Sequence, residues 1–152
     1  MNIISHRGNL NGPDPRNENT ISQIQKAKDN GFDVEVDVWW YKENFWLGHD
    51  EPEQKILKSF LTQGNLWVHA KNLEAVKELQ YVDTNWFWHE NDKVTLTRRG
   101  NIWCFPGNEV DGGIMVDNGP VPYGQAAKVK VQGVCTDYPL RWKNENSSIT
   151  SG

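Results

Sequence analysis

The chain has 152 residues, of which 37% are hydrophobic, and it carries a net charge of −4. This length fits one domain and is short for two. The acidic balance argues against a nucleic-acid or membrane-surface binder that acts through bulk electrostatics, so an anionic ligand would need a local cation. We therefore expect no nucleic-acid partner and no stable membrane association.

The tryptophan and cysteine content narrows the class of protein further. Eight tryptophans predict a small core in which large rings replace several smaller side chains. The two cysteines, Cys104 and Cys135, are too few for a disulfide scaffold, and each lies in an apolar run typical of a buried free thiol. The start, MNIISHRG, becomes polar too early for a signal peptide, and no apolar run reaches membrane-spanning length. These features lead us to expect a cytoplasmic protein.

Short strand-like runs recur along the chain, and helical patterns separate the early ones. One helix is predicted over residues 20–30, before Gly31, and another over 73–81, after a candidate cap at Asn72. A weaker helical pattern covers residues 53–62. The strand-like runs are residues 2–6, 33–40, 65–71, 85–90, 101–107, 112–118 and 133–137.

The alternation of strand and helix predicts parallel βαβ units. Seven strand-like runs favour a barrel over an open sheet, although a full eight-fold barrel usually needs about 200 residues or more. The gap over 107–112 is too short for a helix. We therefore predict a shortened TIM-type (β/α) barrel with reduced helices in the second half. It would form a single domain over residues 1–142, followed by a polar tail over 143–152. Thin helical cover could leave apolar surface for a partner subunit, so an oligomer is an open alternative.

The stretch DVEVDVWW, residues 33–40, alternates acids with valines. In an ordinary half-buried strand the acids face water and the valines face the core, and that arrangement carries no function. In a parallel barrel the valines can instead face outward, which places Glu35 and Asp37 inside near the C-terminal end of the strand. Two buried carboxylates are costly unless a cation neutralises them, so the second arrangement indicates a divalent metal site.

Each of the four histidines lies at or near the end of a predicted strand: His6, His49, His69 and His89. A single histidine is more often a structural residue than a catalytic one. Four placed alike in a short chain favour a functional role. Strand parity also puts His69 and Lys71 on one face of LWVHAK, opposite the aliphatic side chains.

Several short motifs occur in an order and spacing found in one known family. They are ISHRG at 4–8, ENT at 18–20, EVD at 35–37, LGHDEP at 47–52, HAK at 69–71 and VCTDYP at 134–139. In this order they resemble the glycerophosphodiester phosphodiesterases, closely in the first half of the chain and loosely in the second. Each motif alone occurs by chance. The first five in order, with a helix-length gap between ENT and EVD, make a specific signal.

The resemblance implies a TIM-type barrel that hydrolyses phosphodiesters with a divalent metal. The implied roles are acid–base catalysis by His6 and His49, phosphate binding by Arg7 and Lys71, and metal binding by Glu35 and Asp37. Imidazoles suit proton transfer because they titrate near neutral pH. Glu18 matches the acid of the ENT motif and receives a supporting role, either orienting Arg7 or approaching the metal. Helix capping is an equal alternative for Glu18 and Thr20.

The sequence departs from the family pattern at two positions. Asn17 stands where the family usually has proline, and His69 stands where it usually has a glutamate that binds the metal. Imidazole is a poor ligand for Ca²⁺ or Mg²⁺ and a good one for Mn²⁺, Fe²⁺ or Zn²⁺. The expected cofactor is therefore a divalent ion, Mg²⁺, Ca²⁺ or Mn²⁺, with a softer ion favoured if His69 binds it. Otherwise His69 holds a water, or the site is weakened. Further candidates are His89 and Glu90, together with Asp117 and Asp137, for which turn formation is the alternative.

The expected function is metal-dependent hydrolysis of a small glycerophosphodiester-like molecule by paired histidines. One alternative is a lyase of the phospholipase D type, related to sphingomyelinase D. Another is a non-catalytic phosphate- or metal-binding module derived from the same fold. The short chain and His69 favour the module, whereas the presence of both His6 and His49 favours an enzyme.

Overall fold

The computed structural model describes residues 1–122 and 129–150, the last five of these as backbone only. The strands are β1 (Asn2–His6), β2 (Asp33–Tyr41), β3 (Asn44–Leu47), β4 (Gln54–Ile56), β5 (Leu66–Ala70), β6 (Asn85–Trp88), β7 (Val94–Leu96), β8 (Ile102–Cys104), β9 (Ile114–Val116) and β10 (Gly133–Thr136). The helices are α1 (Ile21–Asp29), α2 (Lys58–Leu61), α3 (Leu73–Leu79) and α4 (Pro139–Thr150). Each predicted strand-like run contains a strand.

The strands belong to one mixed sheet. Parallel pairing links β6, β5, β2, β1, β10, β9 and β8, in that order. Antiparallel strands extend it: β3 pairs with β2, β4 with β3, and β7 with β8. Because the linked strands run parallel, their C-terminal ends lie at one edge, where open α/β sheets usually place their sites.

The prediction of a shortened TIM-type barrel is wrong. The described strands form a ten-stranded mixed sheet with only four short helices, rather than a parallel barrel wrapped by helices. The reason lies in the connections. After β2 the chain reverses at Lys42 and Glu43, with φ of 47° and 61°, the conformation of a two-residue hairpin turn. After β6 the chain forms the antiparallel β7 instead of a helix.

Two of the predicted helices are confirmed, and their caps are built as expected. The Thr20 side chain accepts a hydrogen bond from the Gln23 amide at the start of α1, and the Asn72 side chain accepts one from Ala75 at the start of α3. Gly31 follows α1 with φ of 88°, a conformation that glycine adopts without strain. The helix expected over 53–62 is present only as α2, because residues 54–56 pair with β3 as strand β4.

The second half carries little helix before its end. No helix separates β8 from β9 in the described residues, as the short gap over 107–112 predicts. Residues 123–128, between β9 and β10, lie outside the described part of the chain. Helix α4 runs past residue 142, where we expected the domain to give way to a polar tail, and the buried Trp142 packs on Met115 and Val134.

The parallel strands bury both of their faces. On one face, Val34, Val36 and Val38 of β2 pack in a cluster with residues of α1 and α3. On the other face, Trp67, Phe87 and other apolar side chains form a second cluster around the sheet. The candidate functional residues of β2 therefore lie on the face of β2 opposite the valines. Cys104 and Cys135 are both buried and free, as predicted.

Across the described residues, no helix combines the length and apolarity that crossing a membrane requires.

Candidate functional site

The acids of β2 and the polar residues of β5 are brought side by side by the strand register. Parallel pairing sets Glu35 opposite Trp67 and Asp37 opposite His69. Glu35 is 2% exposed and Asp37 is 1% exposed. The prediction that these acids point into the protein is therefore confirmed, and the alternative of an acid face in water is wrong.

Glu35, Asp37 and His69 form a compact cluster of metal-ligand atoms. One ligand atom from each residue lies within 4.8 Å of the other two. His69 Nδ1 is 3.2 Å from an Asp37 carboxylate oxygen and 4.0 Å from a Glu35 oxygen. Two carboxylates and an imidazole meeting at one point are a donor set suited to a divalent transition metal.

The orientation of His69 supports this assignment. Its Nε2 lies 2.9 Å from the backbone carbonyl oxygen of His89, and because a carbonyl only accepts, Nε2 carries the proton. In the neutral ring, Nδ1 then presents a lone pair to the Asp37 carboxylate. Two lone pairs face each other stably only if a proton or a cation lies between them. Metal-binding histidines are commonly held in this way, with the second nitrogen donating to a carbonyl or carboxylate.

The pKa values of the two carboxylates are shifted in opposite directions. Burial, and then the charge of Asp37, raises the pKa of Glu35 well above its ordinary value. Burial alone would also raise the pKa of Asp37, but the hydrogen bond and charge of His69 in its protonated form, with help from Asn19 and Arg7, hold it far below the ordinary value. Glu35 Oε2 is buried and makes no hydrogen bond within the described residues. A bound cation would meet that unpartnered oxygen, so the residues present fit a metal.

His6, at the end of β1, is oriented by an aspartate from the far end of the chain. Its Nδ1 lies 2.7 Å from Asp137 Oδ1, so Nδ1–H donates to that carboxylate and Nε2 is directed toward Glu35, 3.7 Å away. Asn9 donates a second hydrogen bond to the same Asp137 oxygen. Burial alone would raise the pKa of Asp137, but the hydrogen bond and charge of His6 outweigh burial and lower it. Asp137 is thus held as a charged acceptor for His6.

Arg7 lies between the metal-ligand cluster and Glu18. Its guanidinium is 3.2 Å from Glu18 and 3.3 Å from Asp37. Burial lowers the pKa of Arg7, but the charges of Asp37, Glu35 and Glu18 together raise it above its ordinary value. Glu18 therefore contacts Arg7, the first of its two predicted supporting positions. It does not cap α1, since Thr20 is the residue whose side chain accepts from the helix.

Asn19 braces the cluster from the loop before α1. Its side-chain amide donates to Asp37 Oδ2 at 2.9 Å, and its carbonyl oxygen accepts from the Asp37 backbone N–H at 3.0 Å. The Asn19 backbone N–H also donates to the Arg7 carbonyl. Arg7 and Asn19 both have positive φ angles, of 58° and 55° respectively, which direct the loop toward β2.

His49 reaches the site from the turn after β3. Its Nδ1 lies 2.7 Å from Asp50 Oδ1, and its side chain is 39% exposed. The preceding Gly48 has φ of 151°, and its carbonyl accepts a hydrogen bond from the Trp39 indole N–H. A Cβ placed on Gly48 would lie 1.9 Å from the Glu51 carbonyl oxygen, so only glycine fits this turn.

Gly48→Ala is therefore expected to displace the His49 turn, lowering the melting temperature and any activity that depends on His49. Gly64→Ala is the matched control, because nothing lies within 4 Å of a Cβ placed there. Thermal melts of both variants provide the measurement. Equal melting temperatures for the two variants would show that the turn adjusts freely to a side chain.

Most of the candidate site residues line one cavity of about 170 Å³. The predicted site residues that line it are His6, Arg7, Glu35, Asp37, His49 and His69. Glu18 lies behind Arg7, outside this lining. Lys71 also lies outside it, although its charge opposes the rise in the pKa of Glu35.

The remaining candidates fall into different environments. His89 lines the cavity, and it contacts His69 through its backbone carbonyl rather than through its ring. Glu90 is exposed and outside the cavity lining. Asp117 accepts from the Gly119 amide, as the turn-forming alternative predicts. Asp137, which was subject to the same alternative, instead orients His6.

The sequence alone does not indicate that Asn9 contacts Asp137 or that Asn19 contacts Asp37. Asn19 lies inside the ENT motif, and its placement between two conspicuous residues is the only available signal. Asn9 directly follows the ISHRG motif, and nothing in its neighbourhood predicts contact with residue 137.

Comparisons with protein-family models, curated proteins and solved structures give no match for this chain. The resemblance to glycerophosphodiester phosphodiesterases therefore rests on the motifs quoted above and stays a prediction.

Proposed function

We propose that this protein is a metal-dependent hydrolase of small phosphodiesters that uses His6 and His49 for proton transfer. The observation that carries the proposal is the buried cluster of Glu35, Asp37 and His69, with Nδ1 of His69 directed at a carboxylate. This cluster lies in the same cavity as both histidines. Two buried cysteines without a disulfide are consistent with action in the cytoplasm.

Glu35, Asp37 and His69 would hold a divalent cation. When bound, such an ion neutralises charge that develops on the phosphate oxygens. The nitrogen ligand favours Mn²⁺, Fe²⁺ or Zn²⁺ over Ca²⁺ and Mg²⁺. Asn19 keeps the Asp37 carboxylate in place through two hydrogen bonds, whether or not the ion is bound.

His6 suits the role of general base. Its Nδ1–H is bound to Asp137, so the free Nε2 is the atom that takes a proton from the attacking hydroxyl. The Asp137 carboxylate then stabilises the imidazolium that forms, as the aspartate of a catalytic triad does. The attacking oxygen forms a bond to phosphorus while the bond to the leaving oxygen breaks.

His49 suits the role of general acid. It donates a proton to the leaving alcohol oxygen, so the products are an alcohol and either a phosphomonoester, when water attacks, or a cyclic phosphate, when a substrate hydroxyl attacks. Its partner Asp50 is 91% exposed, whereas Asp137, the partner of His6, is sheltered.

Arg7 and Lys71 supply positive charge for the phosphate. Arg7 lines the cavity and is fixed by Glu18 and Asp37, so its remaining N–H groups have a defined direction. Lys71 has no ion pair or side-chain hydrogen bond among residues 1–122 and 129–145, which leaves its ammonium group available to an anion.

A non-catalytic phosphate-binding module is the second candidate. The observation that favours it is the double ion pair of Arg7, which already satisfies much of the charge an incoming phosphate would need. A binding module has no need of two oriented proton-transfer groups, and for that reason we favour the enzyme.

An activity screen with one metal at a time tests the proposal. The protein is stripped with a chelator, reloaded with Mg²⁺, Ca²⁺, Mn²⁺ or Zn²⁺, and given bis(p-nitrophenyl) phosphate. Hydrolysis that requires metal and is strongest with Mn²⁺ or Zn²⁺ supports the proposal. Metal and phosphate binding without hydrolysis of any diester would favour the module.

His69→Glu is expected to change the preferred metal. The substitution replaces nitrogen by oxygen and adds a negative charge, so the order of affinities should move toward Mg²⁺ and Ca²⁺. Calorimetric titration of each ion into both proteins gives the two orders. An unchanged order would remove His69 from the ligand set and leave it as a packing residue stacked on Phe87.

A further inference from the structure

The cavity is lined by two chemically different sets of side chains, which meet where Phe87 stacks on His69. Its charged wall carries the metal-ligand cluster and the paired histidines. Its other wall is formed by Phe87, Trp103, Phe105, Pro106, Val116 and Cys135, which we call the apolar wall. The proposed chemistry uses none of these six side chains.

The apolar wall is poorly equipped to bind a polyol. Phe87, Phe105, Pro106 and Val116 have no polar side-chain atom, the buried thiol of Cys135 is only a weak donor, and Trp103 contributes one indole N–H donor, too few for the hydroxyls of glycerol. A glycerol group placed against this wall would lose hydrogen bonds to water without replacing them, which is costly. An apolar group there would gain from leaving water.

The aromatic rings of this wall differ in their exposure. Phe87 and Trp103 are stacked, with ring centroids 4.5 Å apart, and both are buried. Phe105 lies at the mouth, is 43% exposed, and packs edge-on against His89. Ligand-binding pockets are lined mainly by apolar and aromatic side chains of this kind.

We propose that the alcohol group of the substrate is apolar, an aryl, benzyl or short alkyl group rather than glycerol, and that it packs on the apolar wall. This inference rests on the proposed function, because the charged wall must hold the phosphate. One benzene ring needs roughly 150 Å³, and the cavity of about 170 Å³ must hold the phosphate as well. A ring packed on the apolar wall must therefore extend past Phe105.

The nature of the alcohol also selects the chemical route. A neighbouring hydroxyl on glycerol can attack phosphorus and give a cyclic phosphate, but an aryl, benzyl or alkyl group has no such hydroxyl. Water must then be the attacking molecule. Its oxygen bonds to phosphorus, one of its protons passes to His6, and the leaving oxygen takes a proton from His49. The phosphorus product is a linear monoester.

The test compares two ligand pairs that differ only in the alcohol. Affinity for benzyl phosphate and for glycerol 3-phosphate is measured by calorimetry on the Mn²⁺-loaded protein. Hydrolysis of benzylphosphocholine and of glycerophosphocholine is measured as kcat/KM. Benzyl alcohol and glycerol are both aliphatic alcohols of similar leaving-group ability, so the comparison reports on recognition rather than on leaving-group reactivity. Phe105→Ser is the test variant. Leu57→Ser, at an exposed apolar residue lining a different cavity, is the matched control.

The benzyl compound is expected to be preferred by at least about tenfold in both assays, the scale on which apolar pockets discriminate. Phe105→Ser should reduce that preference severalfold, and Leu57→Ser should leave it unchanged. Equal or tighter binding of glycerol 3-phosphate, binding of neither monoester, or a preference insensitive to Phe105→Ser would overturn the inference. Preferential binding of benzyl phosphate without hydrolysis of either diester would support the apolar wall and overturn the proposed hydrolase.

Discussion

Replacing His6 by alanine is expected to lower phosphodiester turnover by at least about a hundredfold, the lower limit usually observed when a general acid–base group is lost. The effect should fall on kcat more than on KM, because Nε2 of His6 acts in the proton transfer and the phosphate is held elsewhere. The variant removes the donor that Asp137 now accepts from at 2.7 Å. Asn9 still donates to the same Asp137 oxygen, so the variant loses one of two hydrogen bonds, at a cost of about 1–3 kcal/mol in stability.

His6→Asn separates these two effects. The asparagine amide can donate to Asp137 and restore much of the stability, but it has no group that takes up a proton at neutral pH. Low turnover in a variant that melts near the parent temperature would place His6 in the chemistry. Turnover close to that of the parent protein would remove His6 from the mechanism and leave it as a partner for Asp137.

Asp37→Asn is expected to abolish measurable metal binding. The substitution keeps the shape of the side chain and removes the negative charge that binds a cation. Asp37 is buried, with 1% of its surface exposed. Metal at a hundred times its dissociation constant should stabilise the parent protein by about 2.7 kcal/mol. The variant should show no such shift. Calorimetry and thermal melts with and without Mn²⁺ provide the two measurements.

Asp33→Asn is the matched control for this experiment. Asp33 lies on the same strand and the same strand parity, but it accepts from Asn2 and Trp67 at the opposite end from the ligand cluster. It should retain both metal binding and the metal-induced rise in melting temperature. Equal metal responses in Asp33→Asn and Asp37→Asn would show that the ion, if it binds, binds elsewhere.

The position of the acid pair was predictable because strand parity is a local property. Once DVEVDVWW forms a strand, Glu35 and Asp37 must share a face, and Val34, Val36 and Val38 must share the other. The histidine of HAK follows by the same rule. Parallel pairing in register then sets His69 beside Asp37.

The sheet architecture could not be predicted in the same way, because it depends on which distant strands pair. The β2–β3 hairpin turns at Lys42 and Glu43, which are not typical residues for positive φ, so the sequence gives little warning of it. Strand β7 is only three residues long and partly exposed, and a segment this short has no clear periodicity.

The partners of the site residues were the least predictable part. Asp137 contacts His6 across 131 positions in the chain, and no local pattern encodes that contact. The hydrogen bond from His69 goes to a backbone carbonyl, which every residue has, so no residue type identifies it. The sequence therefore indicates which candidate side chains lie near one another, and their orientation is given only by the structure.

Anomalous diffraction from a crystal soaked with Mn²⁺ tests most directly whether Glu35, Asp37 and His69 form a metal site. Data collected on both sides of the manganese absorption edge give the ion position without reference to activity. We predict a single strong peak in bonding contact with both carboxylates and with Nδ1 of His69, while His69 Nε2 still donates to the His89 carbonyl. A fully soaked crystal with no peak between these three residues, or with His69 turned so that Nδ1 faces away, would contradict the assignment.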